Sequence, residues 1–211
     1  ELVRTNTFGA SPSRLARHGL EGKAEEINTK AVEIAREAAG EQALVLGAIG
    51  PIGELLEPYG DISPQVAETA FRLQAEAFVK AGADACVVET MADISEAVLA
   101  VQAAVACRLP VVAQMSYEES GRTFMGVDPI QAAHELAEAG ACVIGANCSV
   151  GPQEMLRVIG RLREVTALPI SALPNAGLPS TKGGVTSWPL QPDDFATWGP
   201  RLVTAGATLV G

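Results

Sequence analysis

Two reactive side chains stand where apolar runs of this sequence end. The stretch GANCSVGP places Cys148 directly after an apolar segment, and Glu89 is the only charged residue of the segment ACVVE. A cysteine thiolate can act as a nucleophile or metal ligand, and a carboxylate can bind an ammonium group or act as a general base. A single polar residue at a strand end indicates little, because polar residues also occur wherever a strand meets solvent. Several such residues together indicate a site more strongly. The candidate site residues are Asn6, Thr7, Glu89, Asn147, Cys148 and Asn175.

The other cysteines stand at positions that predict structural roles. Cys142 shares a predicted strand with Cys148, but six residues at about 3.3 Å each separate them by roughly 20 Å, too far to bind one metal ion. We therefore expect Cys142 in the core. Cys86 lies inside an apolar strand and Cys107 near a helix end, where cysteine commonly packs as a small apolar residue.

Cys148 by itself is an incomplete metal site. A catalytic zinc ion normally has three protein ligands. The two histidines, His18 and His134, fall on predicted helices, and we interpret both as surface or packing residues. Any further ligands must therefore come from elsewhere.

An alternation of strands and helices positions these residues. About six helical segments separate the strands, and no two successive strands are predicted to form a short hairpin. The longest helical pattern covers residues 11–40, and Ser63 before Pro64 is a typical helix start. The apolar stripe of the long helix is predicted to contain Ile27, Ala31, Ile34 and Ala38. The seven predicted strands are residues 1–7, 43–49, 85–89, 110–116, 142–147, 169–173 and 207–211.

A weak internal repeat supports tandem βα units. The segments KAGADACVVE, EAGACVIGAN and TAGATLVG each combine a helix end, a glycine stop and an apolar strand. Uninterrupted apolar strands are typical of a parallel sheet covered on both faces. We predict an eight-stranded (βα)8 TIM barrel that lacks its first βα unit in this chain. A doubly wound open sheet is the alternative, although no GxGxxG turn follows an early strand.

Composition excludes several classes of function. The 211 residues suffice for one core, and a net charge of -10 opposes a phosphate backbone, so nucleic acid is not expected as a ligand. No stretch approaches the roughly 18 apolar residues of a membrane span. Four cysteines in a chain of this length do not make a disulfide scaffold, and we expect a soluble, cytoplasmic protein.

Several motifs together resemble one family. RTNTFGAS, GPIGELLEPYGD, VETMAD, GRTFMGVDP, GANCSVGP and PNAGLP, in this order, are similar to the homocysteine S-methyltransferase domain, nearest to the N-terminal module of cobalamin-dependent methionine synthases. The resemblance implies that zinc binds the homocysteine thiolate, which then attacks a methyl donor.

The resemblance also implies roles for the candidate residues. Cys148 matches the first zinc ligand and Glu89 the residue that binds the substrate's amino group. Asn175 matches an asparagine beside the zinc, and Asn6, Thr7 and Asn147 are expected to shape the pocket. If the donor is methylcobalamin, it must be delivered by cobalamin- and folate-binding domains elsewhere in the polypeptide.

Two features of the family pattern are not in this sequence. Family members begin with an Asp-Gly-rich strand and carry an adjacent cysteine pair, the other two zinc ligands, after their last strand. We therefore expect residues 1–211 to be a single homocysteine-binding barrel domain cut from a longer protein, and inactive alone.

Other functions fit parts of the pattern. A stand-alone homocysteine methyltransferase could use S-methylmethionine or betaine as donor. A metal-free barrel lyase or isomerase could use Glu89 as its base, although Cys148 would then have no task. A non-catalytic scaffold is the third alternative.

Overall fold

The computed structural model describes residues 1–181 and 183–211, and residue 182 by its backbone alone. The strands are β1 (Leu2–Arg4), β2 (Leu44–Ile49), β3 (Ala85–Met91), β4 (Val111–Met115), β5 (Val143–Asn147), β6 (Ile170–Leu173), β7 (Ser180–Lys182), β8 (Val185–Ser187) and β9 (Leu209–Val210). The α-helices are α1 (Pro12–Ala16), α2 (Ala24–Ala39), α3 (Pro64–Lys80), α4 (Ile94–Ala106), α5 (Pro129–Glu138), α6 (Pro152–Val165), α7 (Pro192–Ala196) and α8 (Trp198–Thr204).

Seven of the strands form one parallel sheet in the order β1-β2-β3-β4-β5-β6-β9. Strands that follow one another in the chain are therefore neighbours in space, without the reversal of order that a doubly wound sheet requires. Leu2 of β1 and Leu209 of β9 line the same interior cavity of about 120 Å³, so the sheet curls until its two edge strands face each other. The seven predicted strands and the βα barrel architecture are confirmed, and the open-sheet alternative is wrong.

The strands of the seven-stranded sheet are mainly apolar because both of their faces are covered. In β2, Val45 and Ile49 belong to the large core between the sheet and the helices, whereas Leu46 and Ala48 pack in a smaller cluster inside the curl. Phe78 of α3 is fully buried against the outer face, and a buried side chain of this size contributes about 1.5–3 kcal/mol. Glycine at position 47 makes room for it, since a Cβ there would lie 2.2 Å from the Phe78 ring.

The helical region at residues 11–40 differs from the prediction. It is divided into α1, a short 3-10 helix at Glu21–Lys23, and α2. The predicted apolar stripe is half-buried or exposed, with Ile34 58% exposed, and the buried side of α2 contains Ala24, Asn28, Val32 and Ala35.

The physical reason is the buried polar residue Asn28. Its side-chain amide donates to the carbonyl oxygens of Ala10 and Ala24, at 2.9 and 2.7 Å, and its Oδ1 accepts from Gln74 at 3.1 Å. A fully hydrogen-bonded asparagine can occupy a core position. Asn28 interrupts the apolar pattern on the buried face of α2. The neighbouring stripe has the more regular apolar spacing, and the sequence pattern therefore predicts that stripe to be buried.

Two smaller expectations can also be compared with the structure. Ser63 caps α3 as predicted, accepting the backbone N–H of Val66 at 3.4 Å. No two of the seven predicted strands form a hairpin, as expected, whereas β7 and β8, which the sequence did not predict, pair in antiparallel fashion around Gly183 and Gly184. These two glycines have φ of 58° and 79°, the positive values that a tight two-residue turn requires.

Cys142 is exposed rather than buried in the core, which corrects the prediction. It precedes β5 at the amino end of the strand, where the chain arrives from α5, and its thiol donates to the carbonyl oxygen of Val111 at 3.2 Å. His18 and His134 are both exposed, as expected of surface residues. Among the described residues, no helix has the length and apolar character needed to cross a bilayer.

Candidate functional site

A cavity of about 440 Å³ opens at the carboxyl edge of the sheet. Polar groups from strands that are far apart in the sequence meet there because parallel strands end at the same edge. The structure brings together four of the six predicted residues, namely Glu89, Asn147, Cys148 and Asn175. The full lining is Arg4, Phe8, Glu89, Thr90, Asn147, Cys148, Leu173, Pro174, Asn175 and Gly211.

Glu89 is the acidic group of this cavity. Its side chain lies on β3 and is 10% exposed, and its Oε2 accepts a hydrogen bond from Nη1 of Arg4, which ends β1. Burial raises the pKa of Glu89, and the Arg4 guanidinium opposes that rise. An ammonium group entering the cavity would therefore meet a carboxylate that is poorly solvated and able to form a strong ion pair.

Asn147 fixes the backbone beside Glu89. Its Oδ1 accepts the backbone N–H of Thr90 at 2.8 Å, and its Nδ2 donates to the Thr90 hydroxyl at 2.7 Å. Thr90 has a φ of 61°, which is unfavourable for a β-branched residue and needs such support. Asn147 thus connects β5 to β3 across the intervening strand.

Cys148 also has a left-handed backbone, with a φ of 59°, and the next residue, Ser149, has a φ of 57°. The Cys148 N–H donates to the carbonyl oxygen of Leu173 at 3.0 Å, and its own carbonyl accepts from Val150 at 2.7 Å. The Ser149 hydroxyl lies 2.6 Å from that of Ser116, at the end of β4. These contacts turn the chain sharply after β5 and leave the half-buried Cys148 side chain on the cavity wall.

Asn175 reaches the cavity from the segment after β6. Its backbone N–H donates to the carbonyl oxygen of Val150 at 3.0 Å, which joins this segment to the turn that contains Cys148. Backbone hydrogen bonds through Val150 therefore join the residue that carries the thiol to Asn175.

Asn6 and Thr7 lie outside this cavity. Thr7 is fully buried, and its hydroxyl donates to the Ala48 carbonyl at 2.7 Å, so it joins the end of β1 to β2. Asn6 is exposed and lines a separate groove of about 570 Å³ between β1 and α2, whose lining is largely apolar. This groove is larger, but its only charged side chains are Arg4, Glu26 and Lys30, and it contains no thiol. The candidate site is therefore the smaller cavity, which contains the thiol of Cys148.

Arg4 and Phe8 are two of the lining residues that sequence reasoning missed. Arg4 is the only basic residue of the first strand segment, ELVRTNT, and an isolated charge in a strand could have indicated it. Phe8 gave no such signal, because its place in the cavity depends on packing against Gly50, where a Cβ would lie 2.4 Å from the Phe8 ring.

A second buried carboxylate, Glu96, lies near the carboxyl ends of β2 and β3 and was not a candidate. It is 6% exposed in the first turn of α4, and its Oε1 accepts the backbone N–H of Ile52 at 2.5 Å. Burial raises the pKa of Glu96 to about 7; the Ile52 hydrogen bond and Arg14 oppose this rise, whereas Asp93 adds to it. Glu96 thus joins α4 to the loop that follows β2.

The described residues do not make a catalytic zinc site. Such a site normally has three protein ligands, and no group of three or more His, Cys, Asp or Glu residues with suitable positions occurs in residues 1–181 and 183–211. Cys148 is thus a candidate ligand that belongs to no such group in the part of the chain that is described. All four cysteines are free thiols.

Comparison with known proteins identifies relatives along the whole chain. The family model for homocysteine S-methyltransferase matches residues 1–211. Methionine synthases from Mycobacterium leprae and Mycobacterium tuberculosis are 33% and 32% identical, and each alignment covers 100% of this chain but only 18% and 19% of the relative. The metallated form of the Escherichia coli homocysteine methyltransferase MmuM superposes with a TM-score of 0.79 at 25% identity, covering 100% of this chain and 73% of that one.

Proposed function

Because the chain belongs to the homocysteine S-methyltransferase family, we propose that its cavity binds homocysteine and that the natural polypeptide transfers a methyl group to the substrate thiolate, giving methionine. The observation that carries this proposal is the cavity at the carboxyl edge of the sheet, which is lined by both the thiol of Cys148 and the carboxylate of Glu89. Homocysteine presents at one end an ammonium group, which can pair with Glu89, and at the other a sulfur, which together with Cys148 would be held by a shared zinc ion.

Glu89 binds the ammonium group in this proposal. A charge-assisted hydrogen bond in a poorly solvated cavity is stronger than one in water, and it fixes the amino-acid end of the substrate. Asn147 acts indirectly, because both ends of its amide contact Thr90 and thereby orient the strand end that contains Glu89. Asn175 contributes a side-chain amide from the opposite segment.

The chemical step is a nucleophilic substitution on the methyl group. The homocysteine thiol loses its proton, its sulfur forms the new bond to the methyl carbon, and the electrons of the broken bond remain with the donor. The thiolate is the reactive form. The described residues do not complete a zinc site. If the natural polypeptide binds zinc here, Cys148 would contribute one ligand, and the others would come from outside residues 1–211; the metal would favour the thiolate form of the substrate.

We further propose that the domain is the homocysteine module of a methionine synthase, with methylcobalamin as the immediate donor. The support is that both methionine synthase relatives are about five times longer than the matched region. Cobalamin- and folate-binding domains of the same polypeptide are then the partners, and the free thiols are consistent with the reducing conditions of the cytoplasm. S-methylmethionine or betaine is the alternative donor.

The test uses the natural full-length polypeptide and measures methionine formed from homocysteine with each donor in turn. Cys148→Ala is expected to lower the rate by about a hundredfold or more and to lower the bound zinc, whereas Cys142→Ala, at the other end of β5, leaves both unchanged. Undiminished methionine formation in Cys148→Ala would contradict the role of this thiol. Activity that survives complete removal of metal would favour the metal-free reaction with Glu89 as base, and absence of any methionine formation would favour the scaffold.

A further inference from the structure

The loop between β2 and α3, residues 50–63, depends on side chains of two helices for its position. The Pro51 carbonyl oxygen accepts a hydrogen bond from Nη1 of Arg14 at 2.9 Å, and the Ile52 N–H donates to Oε1 of Glu96 at 2.5 Å. Arg14 belongs to α1 and Glu96 to α4. The start of the β2–α3 loop is therefore held between these two helices.

The rest of this loop is a largely independent surface segment. Its Ile52 and Leu56 side chains are buried in the core, whereas Tyr59 is 74% exposed. The second part forms hydrogen bonds within itself, such as the bond from the Glu57 N–H to the Ile62 carbonyl oxygen at 2.9 Å. A segment with few buried apolar side chains can open locally at a lower free energy than the whole domain unfolds.

Glu96 is the attachment of the loop whose charge changes near neutral pH. Its side chain is buried, and among the described residues its carboxyl group has one hydrogen bond, the one from Ile52. Burial raises the pKa of Glu96 to about 7, and Asp93, which caps α4, adds to this rise, while the Ile52 N–H and Arg14 oppose it. A carboxylate at this position therefore costs free energy as long as the loop covers it.

Other charged side chains near the same end of α4 are engaged elsewhere or exposed. The first turns of α3 and α5, the helices beside α4, contain no charged residue. Glu89 on β3 pairs with Arg4 at the cavity. The acidic residues of the loop itself are exposed, namely Glu54, Glu57 and Asp61. The ionisation of Glu96 thus depends on Asp93, Arg14 and the loop that covers it.

We propose that the β2–α3 loop is a pH-dependent switch, closed against α4 while Glu96 is protonated and opening locally at its first part when Glu96 ionises. The carboxylate gains hydration when the loop moves away from α4, so the charged form favours the open loop. The loop begins at Gly50, which packs against the ring of Phe8 in the cavity lining. The switch therefore borders the candidate site, whatever ligand that site binds.

Proton linkage gives the direction and size of the effect. With the loop closed, Glu96 keeps its proton up to about pH 7, whereas a hydrated Glu96 releases it near the ordinary value of 4.5. Between these values opening releases a proton, so the equilibrium constant for opening rises with pH and becomes constant above this range. From pH 5 to pH 8 the expected rise is about fiftyfold.

Amide hydrogen exchange of the full-length polypeptide, measured by mass spectrometry at pH 5 and pH 8, tests this switch at Ile52. Protection factors correct for the intrinsic effect of pH on exchange. Wild type should lose about fiftyfold in protection at Ile52, as should Glu68→Gln, an exposed control on α3, whereas Glu96→Gln should change by less than about threefold. The amide of Glu96→Gln still accepts from Ile52 but cannot ionise. Circular dichroism checks that each variant folds.

A second variant and a second measurement complete the design. Asp93→Asn retains a side-chain cap for α4 but removes the charge that adds to the rise in the Glu96 pKa, so the loss of Ile52 protection should be smaller than in wild type. Dilute urea separates local opening from global unfolding. Exchange at Ile52 should respond weakly to urea, and exchange at Val112 in the centre of the sheet should respond strongly.

Three results would overturn the switch. The first is protection at Ile52 that does not change with pH in wild type, and the second is an equal loss in Glu96→Gln. The third is exchange at Ile52 that follows Val112 in both its pH and its urea dependence, since Glu96 would then act on global unfolding alone.

Discussion

Glu89 and Glu96 are two buried carboxylates near the same edge of the sheet, and their surroundings differ in one respect. Glu89 faces a cavity, pairs with a half-exposed guanidinium and has one oxygen without a partner in the described residues. Glu96 lies under a loop and accepts the backbone N–H of Ile52. Burial raises the pKa of both groups.

The difference shows that burial and a raised pKa do not by themselves identify a binding group. Structural carboxylates show the same pKa shifts as functional ones. The partner decides the role, because a guanidinium at a cavity can be shared with a ligand, whereas a backbone N–H within a packed loop cannot. We therefore expect changes at Glu89 to alter ligand binding and changes at Glu96 to alter stability.

The largest expected effect is the pH dependence of stability that comes from Glu96. The folded protein binds this proton up to about pH 7, whereas the unfolded chain releases it near the ordinary value of 4.5. Between these values the folded state binds more protons, so the free energy of unfolding falls as pH rises, by on the order of 3 kcal/mol. Urea unfolding of wild type and Glu96→Gln at pH 5 and pH 8 measures it.

In Glu96→Gln the amide oxygen still accepts from Ile52, but no charge forms. The variant should match the wild type at pH 5 and be more stable at pH 8. The control is Glu68→Gln, an exposed glutamate of α3, which should follow the wild type at both pH values. Equal loss of stability in wild type and Glu96→Gln would show that Glu96 does not carry this dependence.

The next effect is on binding and concerns Glu89. Replacing it with glutamine removes the counterion of the substrate ammonium, so the dissociation constant for homocysteine should rise about tenfold to a hundredfold, equivalent to about 1.4–2.7 kcal/mol. The free energy of unfolding should change by less than about 1 kcal/mol, because the released Arg4 is half-exposed. Calorimetric titration and urea unfolding of the same preparation check both statements. A variant that loses stability but retains binding would reverse the roles of the two carboxylates.

A smaller effect is expected at Asn147, whose replacement should alter both stability and homocysteine binding. Asn147→Ala leaves the left-handed Thr90 without its two hydrogen bonds, at a cost of about 1–2 kcal/mol in stability. Homocysteine affinity should fall only a few-fold, since Glu89 itself remains. Thermal unfolding and titration test this, and an affinity loss as large as that of Glu89→Gln would indicate direct contact of Asn147 with the substrate.

The smallest effect is expected at Ser116. Ser116→Ala removes the hydroxyl contact with Ser149 and should cost about 0.5–1 kcal/mol of stability with little change in homocysteine affinity. Urea unfolding gives the first quantity and titration the second. A tenfold loss of affinity would place the turn after Cys148 in direct control of binding.

The sequence contained enough information for the sheet and for four of the ten residues that line the cavity. Uninterrupted apolar strands ending in Glu89, Asn147 and Cys148 dictated both the parallel pairing and the edge at which these residues meet. The error at α2 has a defined cause, because Asn28 is a polar core residue whose hydrogen bonds depend on tertiary contacts. Cys142 was misplaced since its strand begins one residue later, at Val143.

The residues that sequence reasoning missed depend on contacts between distant segments. Arg4 reaches Glu89 across 85 positions of the chain, and Glu96 contacts Ile52 across 44. No local sequence pattern predicts contacts between residues so far apart in the chain. Asn6 and Thr7 share a short segment with Arg4, yet one faces an outer groove and the other is buried.

The left-handed backbone at Thr90, Cys148 and Ser149 implies a trade-off between stability and activity at the carboxyl edge. Each such residue costs on the order of 1 kcal/mol, and all three cluster at the two strand ends that present Glu89 and Cys148. Ser149→Gly would relieve part of this strain and stabilise the folded chain, while the turn would gain freedom to sample other conformations. A looser turn would have to adopt the binding conformation each time a substrate arrives. In the native chain, the turn already has this conformation once folding is complete.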